Sequence, residues 1–209
     1  MEHYKREVVT LEYLQAQTMS GVFPNVVTLH NVIENRPHHT AALILDYANQ
    51  GPLVQDFQDA AFSPSIALQG LGLRQMAKQF AVALLSLHEA GVAHRDIKPH
   101  NVLLTIAKQQ SHAEEVKSSS AVVVLIDFGS SHVFDVHDAS TARVFDSAGA
   151  LYAFCPESIS EMTNTYDARQ LDIWQYGVLL YLIAFGKVPF SVEHGIPSLS
   201  KGRSPIWAT

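Results

Sequence analysis

The sequence predicts an α+β fold with a small N-terminal part and a larger, mostly helical C-terminal part. One helical pattern and two β-branched runs open the chain, and the breaker cluster "NQGP" follows at residues 49–52. The patterns beyond this cluster have mainly helical spacing. We expect the N-terminal part at residues 1–48, the C-terminal part at 49–190 and an irregular tail at 191–209.

The N-terminal part is predicted to contain one helix and a β-hairpin. In "KREVVTLEYLQ", Val8, Leu11 and then Leu14 or Gln15 recur along one side of a helix. The runs "NVVTLHNVIE" and "TAALILDYA" are apolar or β-branched, and the Pro-containing segment "NRPHH" separates them. This order predicts a helix followed by two strands that a turn connects.

The C-terminal part is predicted to contain two long helices. In "LGLRQMAKQFAVALLSLHEAG", apolar residues recur at helical spacing and Gly91 supplies the stop. The apolar run "LDIWQYGVLLYLIAFG" is shorter than the roughly 20 residues of a membrane span, so we expect a buried helix. The polar segment "IAKQQSHAEEVKSSS" predicts a loop insertion between two strands. The apolar face of the first of these two helices consists of Leu73, Met76, Phe80, Leu84 and Leu87. The apolar run of the second is interrupted by Asp172, Gln175 and Gly177.

Composition limits the classes of function. The chain has 209 residues, of which 47% are hydrophobic, and this is enough for a core. The formal charge of −6 provides no basic stripe, so nucleic acid is not expected as a partner. The single cysteine, Cys155, excludes an intrachain disulfide, and the charged start "MEHYKREVV" lacks the apolar core of a secretory signal. We expect a cytoplasmic monomer with no membrane partner.

Two motifs carry candidate chemistry. In "GVAHRDIKPHNVLL", Asp96 is followed by Lys98 and Asn101, which places a carboxylate, an ammonium group and a carboxamide between two apolar runs. Phosphoryl transfer is the first candidate reaction for this trio. In "VVVLIDFGSS", an apolar strand ends at Asp127. A carboxylate at the end of a buried strand is costly unless it meets a cation.

These motifs resemble those of eukaryotic Ser/Thr protein kinases over nearly the whole chain. "CPES" resembles the end of the kinase activation segment, "LDIWQYG" the start of the long central helix and "GKVPF" the segment that follows it. The resemblance implies a protein-kinase-like fold with a mostly helical C-lobe and a partial N-lobe that lacks the strands of the glycine-rich loop. It also implies ATP and Mg²⁺ as cofactors and a protein as substrate.

The resemblance assigns roles to the residues of the two motifs. Asp96 would position the attacking hydroxyl and accept its proton, and Lys98 would hold the γ-phosphate. Asn101 and Asp127 would bind magnesium. The alternative for "HRD" is a chance match in a turn, which the Lys, Pro and Asn that follow in register disfavour.

By the same resemblance, four residues would bind the adenine base. Leu45 would be the gatekeeper, Asp46 and Ala48 would lie in the hinge, and Leu103 would be the apolar floor. Ordinary strand and connector positions without a ligand are the alternative.

The resemblance also predicts how the cleft is supported. Asp172 would cap the backbone of the catalytic loop, the segment that contains Asp96, Lys98 and Asn101. Four side chains would stack between the lobes, so that His94 is a packing residue rather than a base: Leu11, Leu29, His94 and Phe128.

Three departures from the family pattern put catalysis in doubt. Glu7 takes the helix-glutamate position, but no strand lysine precedes it and Lys5 cannot substitute, so a solvated helix charge is the alternative. Ala150 replaces the threonine that bonds the catalytic Asp and Lys. Glu157 has no late-helix arginine to pair with in these 209 residues, so we expect it to remain solvated.

Several reactive residues are expected to have ordinary roles. Ser140, Thr141 and Ser147 lie in the activation segment, and Arg95 resembles the cation that receives an activating phosphate. Cys155 is expected to pack rather than react. The sequence has eleven histidines, but His38 and His39 are expected in a turn and His132 and His137 in a loop, without the spacing of a metal site, so surface positions are expected rather than ligands.

A closer resemblance concerns the substrate. "DYANQGPL" and "CPESIS" are similar to segments of the calcium/calmodulin-dependent protein kinase kinases and related activators of AMP-activated-type kinases. This similarity implies that the protein substrate is another kinase. Two alternatives stay open: a catalytically impaired pseudokinase or truncated regulatory fragment that acts by protein binding, and, ranked last, an unrelated lipid or small-molecule phosphotransferase.

Overall fold

The structure is a computed structural model that describes residues 2–38, 40–58, 61–64, 71–106, 121–146, 148–159, 165–193 and 196–198. The predicted loop insertion at 107–120 and the candidate phosphorylation site Ser147 lie outside the described residues. The protein-kinase-like α+β architecture is confirmed. The predicted division into residues 1–48, 49–190 and 191–209 stays a prediction.

The N-terminal elements are those that the sequence predicts. Helix α1 spans Glu2–Ala16 and buries Leu11 and Leu14, whereas Gln15 hydrogen-bonds the backbone of Leu29. Strands β1 (Leu29–Asn35) and β2 (Thr40–Leu45) pair antiparallel. The Pro-containing turn is a short 3-10 helix at Arg36–His38.

A second hairpin, which the sequence analysis did not predict, precedes the first long helix of the C-terminal part. Strands β3 (Val54–Gln58) and β4 (Ala61–Pro64) pair antiparallel. Prolines at 52 and 64 flank this segment, and proline disfavours the interior of a helix. Helical structure therefore begins later than the breaker cluster indicated.

The first long helix, α2, spans Leu73–Glu89. The predicted apolar face is buried except for Leu73, which is 40% exposed because it lies in the first turn. Gly91 ends the helix at a φ of 77°, and a Cβ at this position would collide with the carbonyl oxygen of Phe134. Only glycine combines this backbone conformation with so close a neighbour.

Short strands and helices lie around the catalytic loop. Strands β6 (Val102–Ile106) and β7 (Ala121–Leu125) form an antiparallel pair. Two further antiparallel pairs are two residues long: β5 (Val92–Ala93) pairs with β8 (His132–Val133), and β9 (Arg143–Val144) pairs with β10 (Tyr166–Asp167). A short helix, α3, spans Pro156–Ile159, and 3-10 helices lie at Pro99–Asn101, Phe128–Ser130, Ala139–Ala142 and Leu151–Ala153.

The second long helix, α4, spans Ala168–Phe185 and is partly buried. Asp172 and Gln175, which interrupt its apolar run, are 0% and 1% exposed, so the interruptions face the interior. Among the described residues, no helix has the length and apolarity that crossing a membrane requires.

The main core joins both parts of the chain. Leu11 and Leu29 from the N-terminal part lie in the same buried cluster as Phe80, Leu84 and Phe128. Burial of apolar surface contributes about 25 cal/mol of stabilisation per Å². This shared core therefore holds the N-terminal helix and hairpin against the C-terminal part.

The tail that was predicted to be irregular contains a short hairpin. Strands β11 (Ser191–Glu193) and β12 (Ile196–Ser198) pair antiparallel, so the prediction was wrong for these residues. Val192 and Ile196 are β-branched and favour extended backbone, a signal that the short run concealed.

Candidate active site

A buried carboxylate on helix α4 anchors the catalytic loop. Asp172 is fully buried and accepts hydrogen bonds from the backbone N–H of His94 at 2.9 Å and of Arg95 at 2.7 Å. The Nε2 atom of His88 lies 2.8 Å from the same carboxylate. The predicted cap of the loop backbone is therefore present, and His88 is a further partner that the sequence analysis did not identify.

Gln175, one turn further along α4, is a second brace. Its Oε1 accepts from the N–H of Ile97 at 2.9 Å, and its Nε2 donates to the carbonyl of Arg95 at 3.1 Å. Residues three apart on a helix share one face, so Asp172 and Gln175 reach the same loop. Arg95 adopts a φ of 68°, which is uncommon for a residue with a side chain. These hydrogen bonds hold it in that conformation.

The three chemical groups of the first motif lie in direct contact. Lys98 Nζ donates to Asp96 Oδ2 at 2.6 Å, and Asn101 Nδ2 donates to the same oxygen at 3.0 Å and to the Asp96 carbonyl at 2.9 Å. The other carboxylate oxygen, Asp96 Oδ1, is buried and has no hydrogen-bond partner among the described residues. A buried oxygen without a partner is costly, so it is a feature to be explained by a ligand.

Asp127 lies beside this trio. It follows β7 in a left-handed conformation with a φ of 64°, and the N–H of Gly129 donates to its Oδ1 at 3.4 Å. The N–H of Ile126 donates to the carbonyl of Asn101 at 3.0 Å, which ties the two motifs together. Asp127 therefore directly follows a residue whose backbone is hydrogen-bonded to Asn101, and we call the region around Asp96, Asn101 and Asp127 the cleft.

The donor atoms of this cleft fit a magnesium ion. Asn101 uses its Nδ2 for Asp96, which leaves its Oδ1 as an oxygen donor. Asp127 supplies a carboxylate at the end of the adjoining strand. Carboxylate and amide oxygens are suitable ligands for Mg²⁺.

The predicted stack between the two parts is present. Leu11, Leu29, His94 and Phe128 are all buried, and the rings of His94 and Phe128 lie 4.7 Å apart. His94 Nε2 lies 3.0 Å from the carbonyl oxygen of Ile126. His94 is therefore a packing residue, as predicted, because both its ring face and its Nε2 are occupied.

A cavity of about 190 Å³, lined mainly by apolar residues, lies between the segments that precede β1 and follow β2 and strands β6 and β7. Asp46, Ala48 and Leu103 line it, as predicted for a base-binding site, whereas Leu45 is half-buried against the main core and is not among the lining residues. The carboxylate of Asp46 points to His30 at 2.6 Å. The remaining lining residues are Val26, Val27, Tyr47, Thr105, Val124 and Ile126.

The pKa of Asp46 lies below its ordinary value. Partial burial opposes ionisation, but hydrogen bonds from Thr28 and His30 and the charge of His30 outweigh it. Asp46 is therefore an ionised side chain at the mouth of the cavity. Its backbone N–H already donates to the carbonyl of Thr28 at 3.1 Å.

The "NQGP" cluster at residues 49–52 is hydrogen-bonded to β6. The side chain of Asn49 accepts from the N–H of Ile106 at 2.9 Å and donates to its carbonyl at 3.1 Å, as a neighbouring strand would. The N–H of Gln50 donates to the carbonyl of Leu104 at 3.1 Å. The cluster thereby fixes the wall of the cavity that contains Leu103.

Glu7 approaches the cleft from helix α1. It is half-buried, and burial raises its pKa; the charge of Asp127 raises it further, against a hydrogen bond from the Phe128 backbone. Among the described residues, no ion pair joins Glu7 to a lysine or arginine. The alternative of a freely solvated helix charge does not describe this half-buried carboxylate.

The segment around Ala150 closes the cleft from the other side. Gly149 has a φ of 96°, and a Cβ there would lie 2.9 Å from the carbonyl oxygen of Arg95 and 3.5 Å from Asp96 Oδ1. Tyr152 has a pKa raised to about 12 by burial and by the charge of Asp96, so its phenol stays protonated. Sequence analysis missed Tyr152, whose only signal is an aromatic two positions after the Gly-Ala pair.

The remaining reactive residues have structural surroundings. Glu157 is exposed, as expected for a carboxylate that stays solvated. Cys155 is 3% exposed, and burial raises the pKa of its thiol, which agrees with packing rather than nucleophilic chemistry. Within the described part of the chain, no three His, Cys, Asp or Glu side chains form a group that could hold a metal. His94 is buried, as its predicted packing role requires, and His88 and His132 are partly buried.

The α+β fold and the contacts among Asp96, Lys98 and Asn101 are those expected of a phosphotransferase of the protein kinase class. The family model described as "Protein kinase domain" matches residues 1–205. The chain therefore belongs to the protein kinase domain family, whose members use ATP and Mg²⁺.

Relatives with curated names support this assignment. The chain is 33% identical over 171 residues to 3-phosphoinositide-dependent protein kinase B of Dictyostelium discoideum, covering 80% of this chain and 16% of the relative. It is 28% identical to the serine/threonine-protein kinase TOS3 of Saccharomyces cerevisiae, covering 82% and 30%, and 28% identical to CBL-interacting protein kinase 25 of rice (Oryza sativa subsp. japonica), covering 92% and 33%. The chain thus spans a third or less of the length of these relatives.

Proposed function

We propose that this chain is a Ser/Thr protein kinase domain that transfers the γ-phosphate of ATP to a Ser or Thr hydroxyl of a protein. The observation that carries this proposal is the asymmetry of the Asp96 carboxylate. Its Oδ2 is held by Lys98 and Asn101, whereas its Oδ1 is buried and has no partner among the described residues. An acceptor that is oriented but unoccupied suits an incoming hydroxyl.

In the proposed reaction, the hydroxyl oxygen of the substrate attacks the γ-phosphorus and the bond to the β–γ bridging oxygen breaks, so that ADP leaves. Asp96 Oδ1 orients the hydroxyl and accepts its proton. Lys98, whose ammonium group already lies 2.6 Å from Asp96, neutralises charge on the γ-phosphate. The hydrogen bonds that the loop backbone donates to Asp172 and Gln175 keep the loop in place, so little reorganisation is needed.

Asn101 and Asp127 would hold the magnesium ion, which neutralises charge on the phosphates when it is bound. The adenine base would occupy the cavity beside β6, with Asp46 and Ala48 in the hinge and Leu103 below the ring, whereas Leu45, which does not line the cavity, is not assigned to the base. The apolar lining of this cavity supports the assignment.

The substrate and setting form the finer part of the proposal. The similarity of "DYANQGPL" and "CPESIS" to kinases that activate other kinases suggests a kinase activation loop as the substrate. A cytoplasmic monomer is consistent with the net charge of −6 and the single cysteine.

A phosphoryl-transfer assay tests the reaction. The purified chain is incubated with Mg²⁺, labelled ATP and a kinase activation-loop protein, and incorporated phosphate is measured. Asp96→Asn should lower the rate by roughly 10³-fold, because it removes the proton acceptor. Glu89→Gln, an exposed carboxylate on α2, is the matched control and should leave the rate unchanged. Equal rates for wild type and Asp96→Asn would contradict the proposed role.

A second candidate function is protein binding by a catalytically impaired kinase domain. Ala150 lacks the hydroxyl of the family threonine, and no described cation pairs with Glu7. Thermal unfolding with and without Mg²⁺ and ATP separates the two candidates. Nucleotide at about 100 times its Kd stabilises the folded chain by about 2.7 kcal/mol. A shift that Asp127→Asn abolishes supports the enzyme, and no shift at millimolar nucleotide supports the binding protein.

A further inference from the structure

The side chain of Arg95 is a buried guanidinium group that requires an anion. It is 3% exposed, and its backbone is held on both sides by Asp172 and Gln175. A buried charge without a counter-charge costs several kcal/mol. The partner of Arg95 therefore determines whether this part of the cleft is stable.

Asp146 of the activation segment (residues 127–157) supplies that anion. The Nη2 atom of Arg95 lies 2.7 Å from Asp146 Oδ1 and donates to the Asp146 carbonyl at 3.0 Å. The hydroxyl of Tyr166 on β10 donates to the same carbonyl at 2.6 Å. Both the side chain and the backbone of Asp146 are therefore fixed by other elements.

The surroundings of Asp146 are basic. A cavity of about 360 Å³ beside it is lined by three arginines, namely Arg6 from α1, Arg95 from the catalytic loop and Arg143 from β9. The pKa of Asp146 is lowered: partial burial opposes this, but the hydrogen bond and charge of Arg95 outweigh it and Arg6 adds to them. Among the described lining residues, Asp146 is the acidic side chain.

The two described hydroxyl groups that the sequence offered as phosphorylation sites, Ser140 and Thr141, bond within their own turn and not to Arg95. Ser140 donates to Asp138 Oδ1 at 2.7 Å, and Thr141 donates to the Asp138 carbonyl at 2.7 Å. Both hydroxyls thus stabilise the 3-10 helix at Ala139–Ala142 rather than the arginine cavity.

We propose that Asp146 is a positioning residue whose carboxylate holds the activation segment on Arg95 in place of a covalently attached phosphate. This proposal rests on the proposed kinase function, because it concerns the regulation of the same cleft. It implies that the segment is ordered, and the catalytic loop supported, in the unmodified chain.

Hydrogen exchange and activity test the proposal on the same preparations. Wild type is treated with a protein phosphatase until mass spectrometry shows no phosphate, and is compared with Asp146→Asn, Asp146→Glu and the control Asp135→Asn. Asp135 is an exposed carboxylate of the same segment that caps the N–H of His137, a role that asparagine retains.

Asp146→Asn should accelerate amide exchange in residues 143–146 by roughly two- to fivefold, a moderate effect because the carboxylate is 62% exposed. Asp146→Glu should restore part of the protection and Asp135→Asn should change nothing. Phosphatase treatment should change the phosphoryl-transfer rate of wild type by less than about twofold.

Two results would overturn the proposal: equal exchange in wild type and Asp146→Asn, or loss of most of the wild-type activity on phosphatase treatment. If the variant shows the exchange effect but no preparation transfers phosphate, the positioning role stands and the proposed kinase activity fails.

Discussion

The anchoring of the catalytic loop by Asp172 can be tested by removing its carboxylate. Asp172→Ala deletes the acceptor of three hydrogen bonds, from the N–H of His94 at 2.9 Å, the N–H of Arg95 at 2.7 Å and the ring of His88 at 2.8 Å. Asp172 is fully buried, so water cannot replace the lost acceptor without rearrangement of the helix.

The expected cost follows from these contacts. Each buried backbone N–H that loses its partner costs roughly 1–3 kcal/mol, so the two N–H groups together cost about 4 kcal/mol. For a chain of 209 residues, each kcal/mol lowers Tm by about 2–4 °C, which gives a decrease of roughly 8–16 °C. Asp172→Asn keeps one acceptor oxygen but loses the charge, so we expect about half this cost.

The free energy of unfolding is measured by urea titration for wild type, both variants and the control Gln170→Ala. Gln170 is exposed on the same helix, and its substitution should change stability by less than about 0.5 kcal/mol. The reasoning is refuted if Asp172→Ala costs less than about 1 kcal/mol, or if Asp172→Asn is the more damaging of the two variants.

Two further predictions concern a close backbone contact and a helix cap. Gly149→Ala should destabilise the chain by about 2 kcal/mol, because its φ of 96° strains any side chain and the new Cβ would collide with Gln175 Nε2. The control is Gly177→Ala, which lies in a helix with open space around it and should stabilise the chain by about 0.5–1 kcal/mol. Urea titration measures both changes in the free energy of unfolding. Asp167 caps α4, and although partial burial opposes ionisation, hydrogen bonds from Arg169 and its charge lower the carboxyl pKa. The stabilisation that the Asp167 carboxylate provides is therefore present above its unfolded-state pKa, and it disappears as the pH falls through the lower folded-state pKa. The stability difference between wild type and Asp167→Asn, measured by urea titration, should thus be present at neutral pH and should shrink as the pH falls below the ordinary Asp value of 3.8 and through the folded-state pKa. A difference that does not depend on pH would contradict the assignment.

The parts of the fold that follow from local patterns could be predicted from the sequence. Helix α1, the first hairpin and the two long helices depend on spacing within one segment, and all four were predicted. The hairpin of β3 and β4 was not, because its residues have no alternating pattern and its pairing includes a register shift between Val54 and Asp56. The β11–β12 hairpin is only three residue pairs long.

The candidate site could be predicted where its residues are adjacent in the chain. Asp96, Lys98 and Asn101 form one motif, and their contacts follow from a single turn of backbone. Tyr152 and Asp146 could not be assigned in this way, because their surroundings come from elements distant in the chain: Arg95 lies 51 residues from Asp146, and Arg6 of α1 lies further still. No local periodicity encodes such a contact.

The polar interruptions of α4 explain why an apolar helix can organise a reactive loop. Asp172 and Gln175 are three residues apart, so both face the loop, and together they bond the backbone of three of its residues, His94, Arg95 and Ile97. Their burial would be unfavourable without these partners, and the loop would be strained at Arg95 without them. Each side therefore stabilises the other. It follows that a substitution that shifts α4 within the core should disturb the orientation of Asp96 even when it lies far from the cleft.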